Sequence, residues 1–173
     1  MSSQVASLFR SFAMSFVLEG GCLCGAVRFH VKQAPLRTLV CHCTFCQKMT
    51  GSSFYANSVF PMEAVAFNDC EVRKFEHTSD SSGKKICVEF CATCGTTVGL
   101  TFERWPSLRA VSRGCFDNPN EVEVGANLWT RSAQSGVALP AEIDCFAKSR
   151  LNLEGQPEQP RKYSQPVMAG GDA

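Results

Sequence analysis

This 173-residue sequence lacks the features that would direct it to nucleic acid or into a lipid bilayer. The formal charge is only +1 and no stretch gathers lysine and arginine into a run, so the electrostatic footprint of a polyanion binder is missing. The apolar segment 11–18, SFAMSFVL, follows one arginine and stops at Glu19 and a glycine pair. It is far too short to span a bilayer and has no small-residue cleavage site. The opening is serine-rich and acid-free like a mitochondrial presequence, but such segments are arginine-rich and this one has a single arginine. A cytoplasmic protein is the expectation. Sustained helical periodicity is also missing, which excludes a helix bundle. Disorder throughout is excluded too, because 45% of residues are hydrophobic and only 19% charged.

What is present reads as strands. Segments 15–19, 26–31, 53–60, 86–90, 96–102, 108–113 and 121–129 are rich in branched and aromatic residues and partly alternate. Glycine, proline, asparagine or aspartate punctuates most of the gaps. One helical turn is expected over 44–50, with Thr44 as cap and Gly51 as terminator. The length suits a single, mainly β domain with little helix, placed at 15–148 after an N-terminal extension at 1–14. Residues 149–173 hold three of the eight prolines and little apolar content, so a disordered tail is expected there.

Eleven cysteines stand out, and seven fall into three clusters: GCLCG around Cys22 and Cys24, VCHCTFC with Cys41, Cys43 and Cys46, and FCATCG with Cys91 and Cys94. In a reducing compartment such clusters point to metal rather than to disulfides. Alternate residues of a strand share a face, so each C-x-C pair can chelate one ion. C-x-x-C-G is a knuckle whose glycine accepts the positive φ of the turn. The seven divide as four plus three. Cys22, Cys24, Cys91 and Cys94 make a closed tetrahedral zinc site, while Cys41, Cys43 and Cys46 hold a second zinc with one coordination position open, as in catalytic sites. An eighth protein ligand would close that position, and His30, His77 and Asp117 are the candidates. His42 points away from its two cysteine neighbours by alternation. Cys70, Cys87, Cys115 and Cys145 lack companions at chelating spacing; Cys87, Cys115 and Cys145 read as small buried hydrophobes.

The stretches GGCLCGAVRF, CHCTFCQKMTGSSF, FCATCGTTV and RGCFDNP, in this order, resemble the glutathione-dependent formaldehyde-activating enzyme family, which includes the domain of centromere protein V. The resemblance covers roughly residues 18–147. It implies a zinc-bound β-tent of antiparallel sheets, and a carbon–sulfur lyase-type activity in which glutathione, as cosubstrate, forms or loses an adduct with an aldehyde or other electrophile. It also implies that the C-x-C and C-x-x-C pairs hold the structural zinc and that C-x-C-x-x-C carries the exposed one. Asn127 stands where histidine is common in the family, which leaves the carbon substrate open.

Because glutathione is anionic, a cationic rim is expected from Lys48, Arg113 and Arg131. Of Phe54 and Tyr55, alternation lets only one face the pocket. The alternatives are a glutathione-dependent cis–trans isomerase, a glutathione carrier without turnover, and a zinc-stabilised interaction module.

Overall fold

A computed structural model describes residues 17–68 and 72–170 of the chain, and strands dominate it. The N-terminal extension expected over 1–14, the start of the first expected strand and Cys70 lie outside the described residues. The path begins with β1 (Leu18–Gly21), β2 (Arg28–Val31) and β3 (Arg37–Cys41), then α1 (Thr44–Thr50). β4 (Tyr55–Pro61) and β5 (Val65–Phe67) lead to a long hairpin of β6 (Val72–Thr78) and β7 (Lys85–Cys91). β8 (Thr97–Phe102) and β9 (Leu108–Ser112) follow, and the short β10 (Ala126–Leu128), β11 (Ala138–Leu139), β12 (Asp144–Phe146) and β13 (Val167–Met168) complete the chain.

Eight strands form one sheet in the order β12-β10-β3-β4-β9-β8-β7-β6, with a smaller sheet β1-β2-β5 and a pair β11-β13. Most neighbours are antiparallel, as expected, but β10 runs parallel to both β3 and β12.

Side chains on the large sheet alternate between two buried faces. On β4, Phe60 faces a cluster with Leu18, Phe29, Val31, Val111 and Phe116, under the small sheet. Its neighbour Val59 faces the opposite cluster with Leu39, Cys41, Cys46, Tyr55 and Leu100, on the side of α1. β9 divides likewise, Val111 to the first and Ala110 to the second. A sheet covered on both faces has no solvent side to mark with polar residues, which explains why the expected strands are so apolar. Each large side chain so buried stabilises the fold by about 1.5–3 kcal/mol.

Gly20 is needed because β1 crosses close to the chain at Cys115. A Cβ there would collide with the Cys115 carbonyl oxygen and the Phe29 ring, where Gly20 bridges Phe116.

The segment expected as a tail takes a different course. Cys145 and Arg161 exchange backbone hydrogen bonds at 2.9 and 2.8 Å, β13 pairs with β11, and Ala169 is buried. Backbone pairing holds this segment where its side chains offer little to a core. β3 and β6 were not expected either. β6 is an exposed edge strand carrying Arg73 and Lys74, which suits an edge but conceals the strand pattern.

Candidate metal centres

Two cysteine groups emerge, Cys22, Cys24, Cys91 and Cys94 in one and Cys41, Cys43 and Cys46 in the other, with all sulfurs of a group within 4.8 Å of one another. Among the described residues no disulfide forms.

The first group joins two turns. Cys22 and Cys24 do not sit in an extended strand, as the alternation argument expected. They occupy the turn between β1 and β2, where Gly25 takes φ 79° and donates to the Cys22 carbonyl at 3.1 Å. The turn places the two sulfurs 3.5 Å apart, and Cys24 lies 3.8 Å from Cys91. The knuckle after β7 turns at Gly95, φ 74°, whose N–H donates to the Cys91 carbonyl at 2.9 Å. Donors already face the sulfurs: Val27 N–H is 3.3 Å from Cys22 Sγ, and the Thr96 hydroxyl is 3.2 Å from Cys94 Sγ. The Thr96 hydroxyl and backbone push Cys94 down to about 5. A four-thiol donor set with backbone N–H groups turned to sulfur suits a tetrahedral thiophilic ion.

The second group sits where β3 gives way to α1. Cys41 ends β3, opposite Tyr55 on β4. Cys43, rather than the expected Thr44, caps the helix by accepting from the Cys46 N–H at 3.4 Å. Gly51 ends it at φ 62°, as its position suggested. As free thiols the three compete for one negative charge. Cys41 and then Cys46 push Cys43 down to about 3; Cys43 in turn pushes Cys41 up to about 12, and Cys41 pushes Cys46 up. A cation relieves that competition, so this donor set also fits a metal ion.

Among the described residues no fourth histidine, cysteine, aspartate or glutamate atom joins this group. Asp117 is bound to Arg28, with Oδ1 2.9 Å from a guanidinium nitrogen. His77 stacks on Phe45 at 4.5 Å, and His30 is exposed on β2. His42 turns inward, buried, with Nε2 3.1 Å from Asn127 Oδ1. Of the Phe54–Tyr55 pair, Phe54 is partly exposed and edge-on to His42 at 5.7 Å, while Tyr55 is buried and meets the Ser112 hydroxyl at 2.8 Å.

A polar network that the sequence did not suggest ties α1 to the loop at His42 and to the turn at Ser132. Gln47 Nε2 donates to the carbonyls of His42 at 2.6 Å and Ser132 at 2.8 Å. The Ser132 hydroxyl donates to His42 at 3.1 Å, Gln134 donates to Gln47 Oε1 at 3.0 Å, and Ser53 donates to Gln134 at 2.9 Å. Trp129 packs in the same cluster as Cys41 and Cys46, and holds a left-handed backbone at φ 59°. That conformation costs a non-glycine residue about 1–2 kcal/mol. Its N–H donates to the Lys148 carbonyl at 2.9 Å, which holds the turn in place.

Of the three expected cations, Lys48 lies exposed in the last turn of α1, and Arg131 follows Trp129 in the turn Thr130–Ser132. Arg113 is placed differently. Its Nε donates to the Val122 carbonyl at 3.0 Å, and Val122 belongs to the cluster on the other face of the large sheet. Cys145 is buried and Cys115 half-buried, and burial pushes both thiols up, Cys115 to about 11. Cys87 is half-buried on β7.

A family model described as "Glutathione-dependent formaldehyde-activating enzyme" matches residues 17–132. A Halomonas elongata protein named "Putative glutathione-dependent formaldehyde-activating enzyme" is 32% identical over 102 residues, 53% of this chain and 60% of that protein. The match thus spans less than two thirds of the relative's length. A crystal structure of a Rhodobacter sphaeroides protein aligns with a TM-score of 0.48 at 20% identity, covering 61% of this chain and 96% of that one.

Proposed function

The chain belongs to the glutathione-dependent formaldehyde-activating enzyme family, and from that premise we propose a zinc-dependent carbon–sulfur lyase-type enzyme that makes or breaks an adduct between glutathione and an electrophilic carbon. One observation carries the reading: one group offers four sulfurs, the other three. Four thiolates would hold a structural zinc and so tie the β1–β2 turn to the β7–β8 turn. Three leave room for one incoming ligand. Held by Cys41, Cys43 and Cys46, zinc would supply a cation that keeps an added thiol ionised near neutral pH, while being a weaker Lewis acid than zinc on three imidazoles.

The chain's residues do the rest. Cys41 and Cys46 are buried and Cys43 caps α1, so the three donors are fixed by strand, core and helix at once. Gln47, Ser132 and Gln134 hold one side of the approach through the bonds given above. Lys48 and Arg131 form the cationic side that receives glutathione, while Arg113, tied to Val122 on the other face of the large sheet, takes no part. In the forward direction the glutathione sulfur bonds to the carbonyl carbon, and the carbonyl π pair takes a proton from solvent to give a thiohemiacetal. The reverse step expels the thiolate.

The test combines metal analysis with calorimetry. The native protein is expected to hold about two zinc ions per chain and to bind glutathione; Cys43→Ala is expected to keep one ion and lose glutathione affinity. Full glutathione affinity and turnover of an aldehyde panel by Cys46→Ser would reject the proposal. Glutathione binding without turnover of any aldehyde or enone would support the carrier instead.

A further inference from the structure

The C-terminal segment builds a wall that no motif in the chain announces. Together with the turn after Trp129 it encloses a cleft of about 320 Å³, lined by Thr130, Arg131, Cys145, Arg161, Tyr163 and Met168 among others. Two arginines line it and, among the described residues, no carboxylate does. Each guanidinium is set by an aromatic face, Arg131 over Trp129 at 5.2 Å and Arg161 over Tyr163 at 4.9 Å. Among the described residues neither arginine pairs with an acid, whereas the neighbouring Lys162 is 3.5 Å from Asp144. The wall is fixed, because Arg161 and Cys145 exchange backbone bonds and Ala169 donates to the Val137 carbonyl at 2.8 Å. The Thr130 hydroxyl is already committed to the Phe146 carbonyl at 3.1 Å, but two oriented, acid-free guanidiniums beside the Tyr163 hydroxyl match a carboxylate.

The cleft is linked to the three-cysteine group through the chain neighbours of Arg131. Arg131 lies between Trp129, which packs in the cluster of Cys41 and Cys46, and Ser132, whose hydroxyl donates to the His42 carbonyl. Glutathione carries carboxylates at both ends and its thiol in the middle, so a thiol seated at the cysteines directs its ends to either side. We propose that this cleft binds a carboxylate of the molecule that reacts at the three-cysteine group, through Arg131 and Arg161, with the Tyr163 hydroxyl as a further donor. This rests on reading that group as the reaction site. The family match ends at residue 132, so Arg161 and Tyr163 lie beyond it.

The carboxylate can come from glutathione or from an acidic electrophile, and the experiment separates the two. The full-length, zinc-loaded protein is labelled with ¹³C-methyl methionine, with Met168 reporting on the cleft. Glutathione, its dimethyl ester, glyoxylate and formaldehyde are titrated by spectroscopy and calorimetry. Either glutathione or glyoxylate is expected to shift the Met168 signal, and Arg161→Gln and Arg131→Gln are each expected to weaken that ligand about tenfold or more. If glutathione is the source, its dimethyl ester binds the native protein weakly and loses nothing further in Arg161→Gln. If the electrophile is the source, glyoxylate loses affinity and formaldehyde does not.

Unchanged affinity for both anions in both variants, at native zinc content, would overturn the cleft assignment while leaving the proposed reaction standing. Conversely, glutathione affinity that survives Cys43→Ala but falls in Arg161→Gln would support the cleft and overturn the reaction-site reading.

Discussion

His42 and Asn127 meet inside the protein, imidazole Nε2 to amide Oδ1 at 3.1 Å. The pair joins the loop between Cys41 and Cys43 to β10, the parallel neighbour of β3, at the same level where His42 N–H donates to the Leu128 carbonyl at 2.9 Å. Both side chains are buried, so the loop that carries two clustered sulfurs is positioned by a polar contact with no water to replace it.

Asn127→Leu is therefore expected to leave the His42 ring without its partner and to cost about 1–3 kcal/mol in urea denaturation. It should also speed loss of metal from the three-cysteine group to a chelator. A variant with native stability and native metal retention would show that the contact does not hold the loop.

Metal removal should proceed in two stages. The three-cysteine ion is expected to leave first under a mild chelator with the fold intact, followed by the four-cysteine ion together with unfolding, since that group ties two distant turns. Circular dichroism read alongside released zinc checks the order; simultaneous release of both ions would contradict it.

Glu89 is buried on β7, with Oε1 3.1 Å from Arg109, while Oε2 has no hydrogen-bond partner among the described residues. Arg109→Met leaves this buried carboxylate with only the more distant Lys74, 3.7 Å away on β6, and is expected to cost about 3 kcal/mol, whereas the double variant with Glu89→Gln should recover part of the loss. Denaturant titration of the three proteins measures the coupling. Equal stability of the single and double variants would refute it.

The Arg28 guanidinium holds the Asp117 carboxyl below its usual range. A folded-state pKa below the unfolded one contributes stability that is complete above the unfolded value, about 3.9, and fades as pH falls through the folded value. Both side chains are about half exposed, 45% and 54%, so solvent screening keeps the contribution small. Asp117→Asn should lower the melting temperature slightly at pH 7, and the difference from native should shrink as pH falls through the lowered folded-state value, while at pH 7 zinc content and turnover match the native protein. A loss of turnover would instead give Asp117 a chemical role.

What was legible in the sequence was local. C-x-C, C-x-C-x-x-C and C-x-x-C-G mark sulfurs that could serve as metal donors, because a turn or a capped helix start only has to bring residues a few positions apart together. Gly51 and Gly95 mark their turns for the same reason, since each occupies a left-handed backbone position. The β character of the chain was legible too, from branched and aromatic residues that either face of a covered sheet accepts.

Tertiary structure decided what depends on partners far along the chain. The Glu89–Arg109 pair forms only because β7, β8 and β9 lie side by side and bring two ordinary charged residues together in the interior. β6 became a strand through backbone pairing with β7 at an exposed edge, where side chains need not alternate. The segment after 148 is held by main-chain bonds to β11 and β12, which composition does not register. Hydrogen bonding between main chains is blind to residue type. The sequence by itself thus marked which neighbouring sulfurs can share an ion, and the fold decided which pairs meet and which walls stand around them.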